Sequence, residues 1–255
     1  MKVALIQTSL HWENPKANRD HFEEHINSIQ EQVDLILLPE MFSTGFTMHP
    51  TEVAETMTGE TISWMKSLAR LKDSAIAGSL VVREGERYYN RLVFVFPSGE
   101  ISTYDKKHLF TLAGEDKIYT SGHEKLIVEY FGFKICLLIC YDLRFPVFSR
   151  NTEDYDALVY VANWPKPRIN AWDILLKARA VENQCFTIGV NRIGVDNNNH
   201  DYIGHSQIVD CLGNYILEPQ EKEGVFITDL DKKNMLETRK KLDFLSDRDA
   251  FTILS

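Results

Sequence analysis

The segment FKICLLICYDLRFP, residues 133–146, begins with an almost unbroken apolar run that is followed by a cysteine, Cys140. A run of this kind predicts a strand that is buried on both faces, over Phe133–Ile139. Cys140 then stands at the end of the strand, where side chains of α/β proteins leave a rigid scaffold and enter a crevice. The segment therefore predicts a central strand of an α/β sheet with a thiol at its end.

Further strands and helices alternate along the chain. The predicted strands are short apolar runs bounded by turn residues: 2–7, 34–38, 74–82, 91–96, 101–104, 125–129, 133–139, 158–161, 186–191, 207–211, 215–217 and 225–229. The predicted helices are 18–32, 61–71, 169–183 and 231–241. Such alternation indicates an α/β protein whose sheets are covered by helices. Two stacked sheets fit so many strands, but periodicity does not distinguish them from one large sheet.

The clearest helical pattern is that of residues 169–183. Ala171, Ile174, Leu175, Ala178 and Val181 recur there at helical spacing, which predicts a helix.

Composition and charge exclude several classes of protein. The chain has 255 residues and a formal net charge of −9, which argues against a nucleic-acid-binding face. Its apolar runs are far shorter than the ~20 residues of a membrane span. No linker or repeat divides it, so we expect a single domain over residues 1–255. A cytoplasmic location with four reduced cysteines is the simplest interpretation.

No metal site is expected. The spacings of Cys136, Cys140, Cys185 and Cys211 contain no Cys-x-x-Cys pair. The polar run at residues 196–201, DNNNHD, has the composition of a solvated hairpin loop. We therefore predict neither a metal nor a cofactor.

Three polar residues follow predicted strands and together suggest acyl-transfer chemistry. Glu40 follows residues 34–38, Lys106 follows 101–104, and Cys140 follows 133–139. Each alone is typical of a turn residue, a surface charge or a small core residue. Together, the carboxylate can accept the thiol proton and the ammonium can stabilise an oxyanion. A Cys–His arrangement stays open, and its candidate bases are His108, His123 and His205.

Several segments resemble the signature motifs of the carbon–nitrogen hydrolase (nitrilase) superfamily. They are LLPEMF at 37–42, YDKKHLF at 104–110, ICYDLRFP at 139–146, ANWP at 162–165, RAVEN at 179–183 and NRIG at 191–194. They occur in the family's order and extend over almost the whole chain. The resemblance implies a four-layer α-β-β-α sandwich with two mixed sheets between helix layers. It also implies pairing of helix layers across a homodimer, with a higher oligomer as an alternative and the C-terminal segment of residues 231–255 as a contact.

The same resemblance assigns roles to individual residues. Glu40 would be the general base, Lys106 the cation that stabilises the oxyanion, and Cys140 the nucleophile. A second glutamate of the family corresponds to Glu115, with Asp116 and Glu124 as nearby acidic alternatives. The backbone N–H of Tyr141 would be a further oxyanion donor.

Two of these segments, CYDLRFP at 140–146 and YVANWP at 160–165, are similar in sequence to the omega-amidase branch of the superfamily. That branch removes the terminal amide of short 2-oxo acids such as 2-oxoglutaramate and 2-oxosuccinamate. Arg144 is a candidate for binding the far carboxylate, or a structural partner of Asp142 or Glu182. Tyr141, Phe42 and Trp164 are candidate pocket walls, together with Phe46 and Phe145. The alternatives are an aliphatic amidase, an N-carbamoyl amidohydrolase, a nitrilase, or a non-catalytic relative.

Overall fold

Two six-stranded sheets and one hairpin make up the strands of a computed structural model that describes residues 1–253. The strands are β1 (Lys2–Gln7), β2 (Leu35–Leu37), β3 (Ala75–Glu84), β4 (Arg87–Val95), β5 (Ile101–Asp105), β6 (Leu126–Tyr130), β7 (Phe133–Ile139), β8 (Ala157–Val161), β9 (Phe186–Val190), β10 (Ile193–Val195), β11 (Asp201–Ile203), β12 (Ser206–Val209), β13 (Tyr215–Gln220) and β14 (Gly224–Asp229). The first sheet has the order β14-β1-β2-β3-β4-β5 and the second β13-β12-β9-β8-β7-β6. The hairpin pairs β10 with β11.

The helices are α1 (Pro15–Asn27), α2 (Pro50–Val53), α3 (Glu60–Lys72), α4 (Pro146–Ser149), α5 (Ile169–Asn183) and α6 (Lys232–Leu242). The four helices predicted from the sequence correspond to α1, α3, α5 and α6, with ends shifted by a few residues. Among residues 1–253, no helix is both long and apolar enough to cross a membrane.

The sheets are buried on both faces because they stack on one another between helices. In β1, Val3 and Leu5 belong to the core between the sheets. Ala4 and Ile6 point the other way, into the core beneath α1 and α3. This alternation follows from the two-residue period of a strand. The four-layer α-β-β-α sandwich is therefore confirmed.

Parallel pairing brings the ends of several strands to one region. β1, β2 and β3 are parallel neighbours, and so are β7, β8 and β9. The carboxyl ends of parallel strands meet at the same edge of a sheet. Glu40 follows β2 and Asn163 follows β8, and the backbone N–H of Asn163 donates to Glu40 Oε2 at 2.9 Å. The two edges therefore face each other across the interior of the sandwich.

The buried side of α5 differs from the side that carries the recurring apolar residues, although Ala171 and Leu175 are partly buried against the core. Ile174 and Val181 are 58% and 48% exposed, whereas the buried side contains Trp172, Leu176, Arg179, Ala180 and Asn183. The physical reason is the close approach of α5 to β9. A Cβ on Gly189 would lie 2.5 Å from Leu176 Cδ1 and 2.6 Å from Trp172 Cζ2, so glycine makes room for these two large side chains. Apolar periodicity does not reveal a buried face that also carries an arginine and an asparagine.

Candidate active site

Glu40, Lys106, Glu115 and Cys140 lie together at the facing ends of the two sheets. Lys106 Nζ is 2.8 Å from Glu40 Oε1 and 2.9 Å from Glu115 Oε2. The side chains of Lys106 and the two glutamates are almost completely excluded from solvent, and Cys140 is 9% exposed. The structure thus brings together all four residues to which the sequence resemblance gave catalytic roles.

Glu40 is held by donors from three parts of the chain. Its Oε1 accepts hydrogen bonds from Lys106 and from Asn90 Nδ2, both at 2.8 Å. Its Oε2 accepts the backbone N–H of Asn163, and the side-chain amide of Asn163 donates to the Glu40 carbonyl. The next residue, Met41, has a φ of 42° and donates its N–H to Ser79 Oγ at 2.8 Å. These contacts fix the direction of the carboxylate before any substrate arrives.

Lys106 remains a cation despite its burial. Burial alone would lower its pKa, but the carboxylates of Glu115 and Glu40 more than offset this and raise the pKa above its ordinary value. Glu115 is itself fixed by the Phe110 N–H at 2.6 Å and by Asn90 at 3.1 Å. Burial raises the pKa of Glu115, and the positive charge of Lys106 opposes that rise. An ammonium held in this way can stabilise negative charge that develops beside it.

Cys140 begins a 3-10 turn, Cys140–Arg144, directly after β7. Its φ of 43° lies in the left-handed region, which non-glycine residues rarely adopt outside functional sites and turns. The Sγ atom lies 3.9 Å from the carbonyl oxygen of Asn163. Burial and the negative charge of Glu40 raise the pKa of the thiol well above its ordinary value, while Lys106 acts in the opposite direction. The resting group is therefore a thiol that needs a proton acceptor.

Asp142 ties this turn to the loop that carries Lys106. Its Oδ1 accepts from the His108 N–H at 3.0 Å and contacts His108 Nδ1 at 2.8 Å. Its Oδ2 accepts from Tyr104 Oη at 2.7 Å and from the Ile139 N–H at 3.0 Å. The buried carboxylate therefore links the turn that begins at Cys140 to the segment that carries Lys106.

None of the three histidines considered from the sequence as the base of Cys140 is placed to act on it. His108 directs Nδ1 to Asp142 and stacks on Phe145, with ring centroids 3.7 Å apart. His205 pairs with Asp173 at 2.9 Å, and His123 is exposed. None of these three lines the cavity that Cys140 opens into. Glu40 is the carboxylate beside the thiol.

That cavity has a volume of about 470 Å³, enough for a small organic substrate. Its floor is formed by Glu40, Lys106 and Cys140, and its aromatic walls include Phe46, Phe110, Tyr141 and Trp164. Tyr141 and Trp164 therefore line the cavity, as the sequence predicts.

Phe42, a predicted pocket wall, lies elsewhere. It is completely buried in the core beneath α1 and α3, and its ring centroid is 5.3 Å from that of Phe22 and 5.9 Å from that of Trp64. The prediction that it contacts substrate is wrong because Phe42 points to the outer face of the first sheet. Phe46, four residues further, reaches the cavity instead.

Arg144 lines the cavity and lies over the Trp164 ring, 4.9 Å from its centroid. Neither structural partner considered from the sequence pairs with it. Asp142 is committed to Tyr104 and His108. Glu182 is 3.0 Å from Arg179. Within residues 1–253, no carboxylate lies within salt-bridge distance of Arg144, so its guanidinium is available to a ligand.

Sequence reasoning missed several residues around the cavity. Asn90, on β4, bonds both glutamates, and nothing in its local sequence distinguishes it. Arg168 lines the cavity and lies 5.2 Å from the Phe110 ring centroid. The hairpin loop contributes Asp196 and His200, which are 3.1 Å apart. That loop has the predicted hairpin form, and its contribution to the cavity could be found only in three dimensions.

The other three cysteines are buried free thiols: Cys136, Cys185 and Cys211. Burial raises the pKa of each. None lines the cavity. Cys140 is therefore the thiol that has both a neighbouring carboxylate and access to a ligand.

A buried thiol with an adjacent carboxylate and ammonium, at the base of a cavity between two stacked sheets, is an arrangement suited to the hydrolysis of carbon–nitrogen bonds. The profile of the carbon-nitrogen hydrolase family matches residues 2–240. The chain belongs to that family.

Similar proteins cover the whole chain. An omega-amidase YafV from Yersinia enterocolitica is 43% identical over 100% of this chain and 99% of its own length. A 2-oxoglutaramate amidase from Bacillus subtilis is 32% identical over 96% of both chains. A solved structure, XC1258 from Xanthomonas campestris, is a CN-hydrolase superfamily protein with an arsenic adduct in its active site. It superimposes with a TM-score of 0.97 at 39% identity, covering 100% of this chain and 99% of the other.

The protonation state of Cys140 gives the first prediction. Because burial and Glu40 disfavour the thiolate, we expect Cys140 to titrate only above the ordinary thiol pKa of 9.0. The measurement is ultraviolet thiolate absorbance against pH, taken as the difference between the wild type and Cys140→Ala. The other three thiols occur in both proteins and cancel. Thiolate absorbance from Cys140 at neutral pH would contradict this account of the site.

Proposed function

We propose that the protein is an omega-amidase that hydrolyses the terminal amide of short 2-oxo acid monoamides such as 2-oxoglutaramate and 2-oxosuccinamate. The observation that carries the proposal is one cavity that combines Glu40, Lys106 and Cys140 with the guanidinium of Arg144, which has no carboxylate partner among residues 1–253. An ω-amide with a distant carboxylate needs both features. The omega-amidase and 2-oxoglutaramate amidase relatives, similar over nearly their full length, support it.

Acylation begins with proton transfer. Glu40 accepts the thiol proton as Cys140 Sγ attacks the amide carbonyl, so thiolate forms only when substrate is present. Lys106 and the Tyr141 N–H stabilise the resulting oxyanion. The first N–H groups of a helical turn have no acceptor within that turn, which leaves the Tyr141 N–H available. Glu40 then returns the proton to the leaving nitrogen, the C–N bond breaks, and ammonia departs from a Cys140 thioester.

Deacylation reuses the same groups. Glu40 takes a proton from water, the hydroxide oxygen attacks the thioester carbonyl, and Lys106 again stabilises the oxyanion. The C–S bond breaks, and the proton returns to the sulfur. Glu115 does not move protons in this scheme: it keeps Lys106 charged and in place, at 2.9 Å. Removing one oxyanion donor of this kind costs about 3–4 kcal/mol in barrier height.

Asn163 can orient the amide group of the substrate. Its Nδ2 donates to the Glu40 carbonyl, which directs Oδ1 away from that contact. Oδ1 is buried and, among residues 1–253, has no hydrogen-bond partner. Asn163 also lines the cavity beside Cys140. We propose that Oδ1 accepts an N–H of the substrate amide, which turns the carbonyl oxygen toward Lys106.

The far carboxylate is assigned to Arg144. A guanidinium binds a carboxylate bidentately, and the Trp164 face holds it without neutralising its charge. Arg168, which lies over Phe110 on the same cavity, supplies a second positive charge. Selectivity for acids thus comes from local cations on a chain whose net charge is −9.

The proposed function predicts a ranking of substrates. Ammonia release should be fastest, by kcat/KM, with 2-oxoglutaramate and 2-oxosuccinamate, and slower with neutral short amides, nitriles and N-carbamoyl compounds. Cys140→Ala should abolish turnover while the circular dichroism spectrum is unchanged. A higher kcat/KM on nitriles or N-carbamoyl compounds would replace the omega-amidase assignment with one of those activities. Retained turnover by Cys140→Ala would show that Cys140 is not the nucleophile.

Arg144→Met separates carboxylate recognition from chemistry. A hydrogen bond to a charged group contributes about 1.5–3 kcal/mol, so we expect kcat/KM on 2-oxoglutaramate to fall by about 10–150-fold, chiefly through KM. Activity on a neutral short amide should change little. The matched control is Lys166→Met, which removes a positive charge that is already paired with Asp201 at 3.0 Å. Equal losses on charged and neutral amides would show that Arg144 does not bind the carboxylate.

We further propose a homodimer that pairs α5 with its copy. Ile174, Val181 and Leu212 are 58%, 48% and 53% exposed, and Gly213 lies against Val181. Adjacent exposed apolar side chains of this kind mark interaction surfaces. Sedimentation equilibrium should give the dimer mass, and a monomer mass at micromolar concentration would contradict the pairing.

The C-terminal segment and the cysteines support two further parts of the proposal, a second dimer contact and the location of the protein. The predicted contact segment, residues 231–255, is described as far as residue 253, and its exposed apolar side chains at Leu236, Phe244 and Phe251 support a second contact with the partner. The four free cysteines support a cytoplasmic, reducing location.

A further inference from the structure

Two histidines and a glutamate cluster on the surface formed by α1 and the turn before β14. His21 and His25 are four residues apart and therefore share one face of α1. Glu223 lies in the turn between β13 and β14. The Nε2 atoms of both rings are 3.2 Å from Glu223 Oε1, and the three candidate ligand atoms lie within 4.8 Å of one another.

The cluster is rigidly supported on both sides. Phe22 and Ile26, each directly after one of the two histidines, are buried in the core and hold α1 in place. Gln7, completely buried, donates through Nε2 to the Gln220 and Lys222 carbonyls, both at 2.8 Å. These two bonds hold the turn that presents Glu223. Pre-ordering of this kind reduces the conformational cost of binding a ligand.

We propose that His21, His25 and Glu223 form a binding site for a divalent transition metal of the zinc type. Zinc takes histidine nitrogen and carboxylate oxygen at about 2.0–2.2 Å, so neighbouring ligand atoms of a tetrahedral site lie about 3.3 Å apart. The two N–O separations of 3.2 Å match that edge length. Side-chain exposures of 24%, 19% and 42% leave access for the ion and for a water as the fourth ligand.

The Thr8 hydroxyl lies against two of the three proposed ligands. It donates to Glu223 Oε1 and lies 2.5 Å from His21 Nε2. A bound metal would replace the contact between Thr8 and His21, while the hydrogen bond from Thr8 to Glu223 can orient the carboxylate.

The site would act on stability rather than on chemistry. The site joins α1 to the turn before β14. The backbone carbonyl of the neighbouring Thr8 accepts the N–H of Ile193, the first residue of the β10–β11 hairpin, at 3.2 Å. None of its three ligands lines the active-site cavity. A metal bound only to the folded state raises the unfolding temperature by mass action.

The test uses the full chain after treatment with a chelator. Titration calorimetry with zinc chloride should show one zinc per chain, and cobalt chloride should give the visible absorption bands of tetrahedral nitrogen and oxygen ligation. His25→Ala and Glu223→Gln should each weaken zinc binding by about 100-fold or more, since losing even a ligand's hydrogen-bond partner costs about 10–100-fold. Zinc should raise the unfolding temperature of the wild type and not that of the two variants.

His49→Ala is the matched control. His49 Nδ1 pairs with Glu13 at 3.3 Å without a second histidine, so removing it should leave zinc affinity unchanged. Absence of cobalt bands in the wild type, or equal zinc affinity in all four proteins, would overturn the proposal. Binding that survives Glu223→Gln but disappears after alkylation of Cys140 would place the metal on the catalytic thiol and overturn it as well.

Discussion

The contact of one buried ammonium, Lys106, with two buried carboxylates, Glu40 and Glu115, is the interaction on which the active site depends. Charges removed from water are costly unless they are paired and hydrogen-bonded. Here Asn90 and the Phe110 and Asn163 N–H groups supply the remaining bonds. Breaking this group would leave an uncompensated charge in the interior. The same pairing gives the site a ready proton acceptor and a fixed positive charge.

This charge balance explains why the nucleophile rests as a thiol. A thiolate at Cys140 would place a negative charge in the interior beside the Glu40 carboxylate. Burial and Glu40 accordingly raise the pKa of Cys140. In the proposed mechanism, proton transfer and attack are therefore coupled to the arrival of a carbonyl that can carry the charge toward Lys106. A free thiolate, open to oxidation or alkylation, is avoided.

Much of the site could be predicted from the sequence because its residues follow strands. Glu40, Lys106 and Cys140 each stand where a predicted strand ends, and the sheets bring those ends together. Phe42 could not be placed in this way, since the two-residue period after Pro39 is broken by the positive φ of Met41. Arg168 and His200 come from loops, whose positions follow from tertiary packing rather than from local pattern.

The fold was predictable to a similar extent. The short apolar runs predicted most strands, and the resemblance to the family implied the four-layer α-β-β-α arrangement. The buried face of α5 could not be predicted from the sequence, because it packs around Gly189 and includes Arg179. Arg179 donates to the Leu143 carbonyl at 2.6 Å. A buried cation that supports the turn after Cys140 has the sequence signature of a surface residue.

The most direct test of the central claim is to trap the acyl-enzyme. A reaction with 2-oxoglutaramate is quenched in acid within the first turnover, and the peptide that contains Cys140 is weighed by mass spectrometry. The account predicts a peptide heavier by the acyl group of the substrate, formed with release of one ammonia. Ammonia release with an unmodified Cys140 peptide at every time point would contradict it, because water would then attack the amide directly.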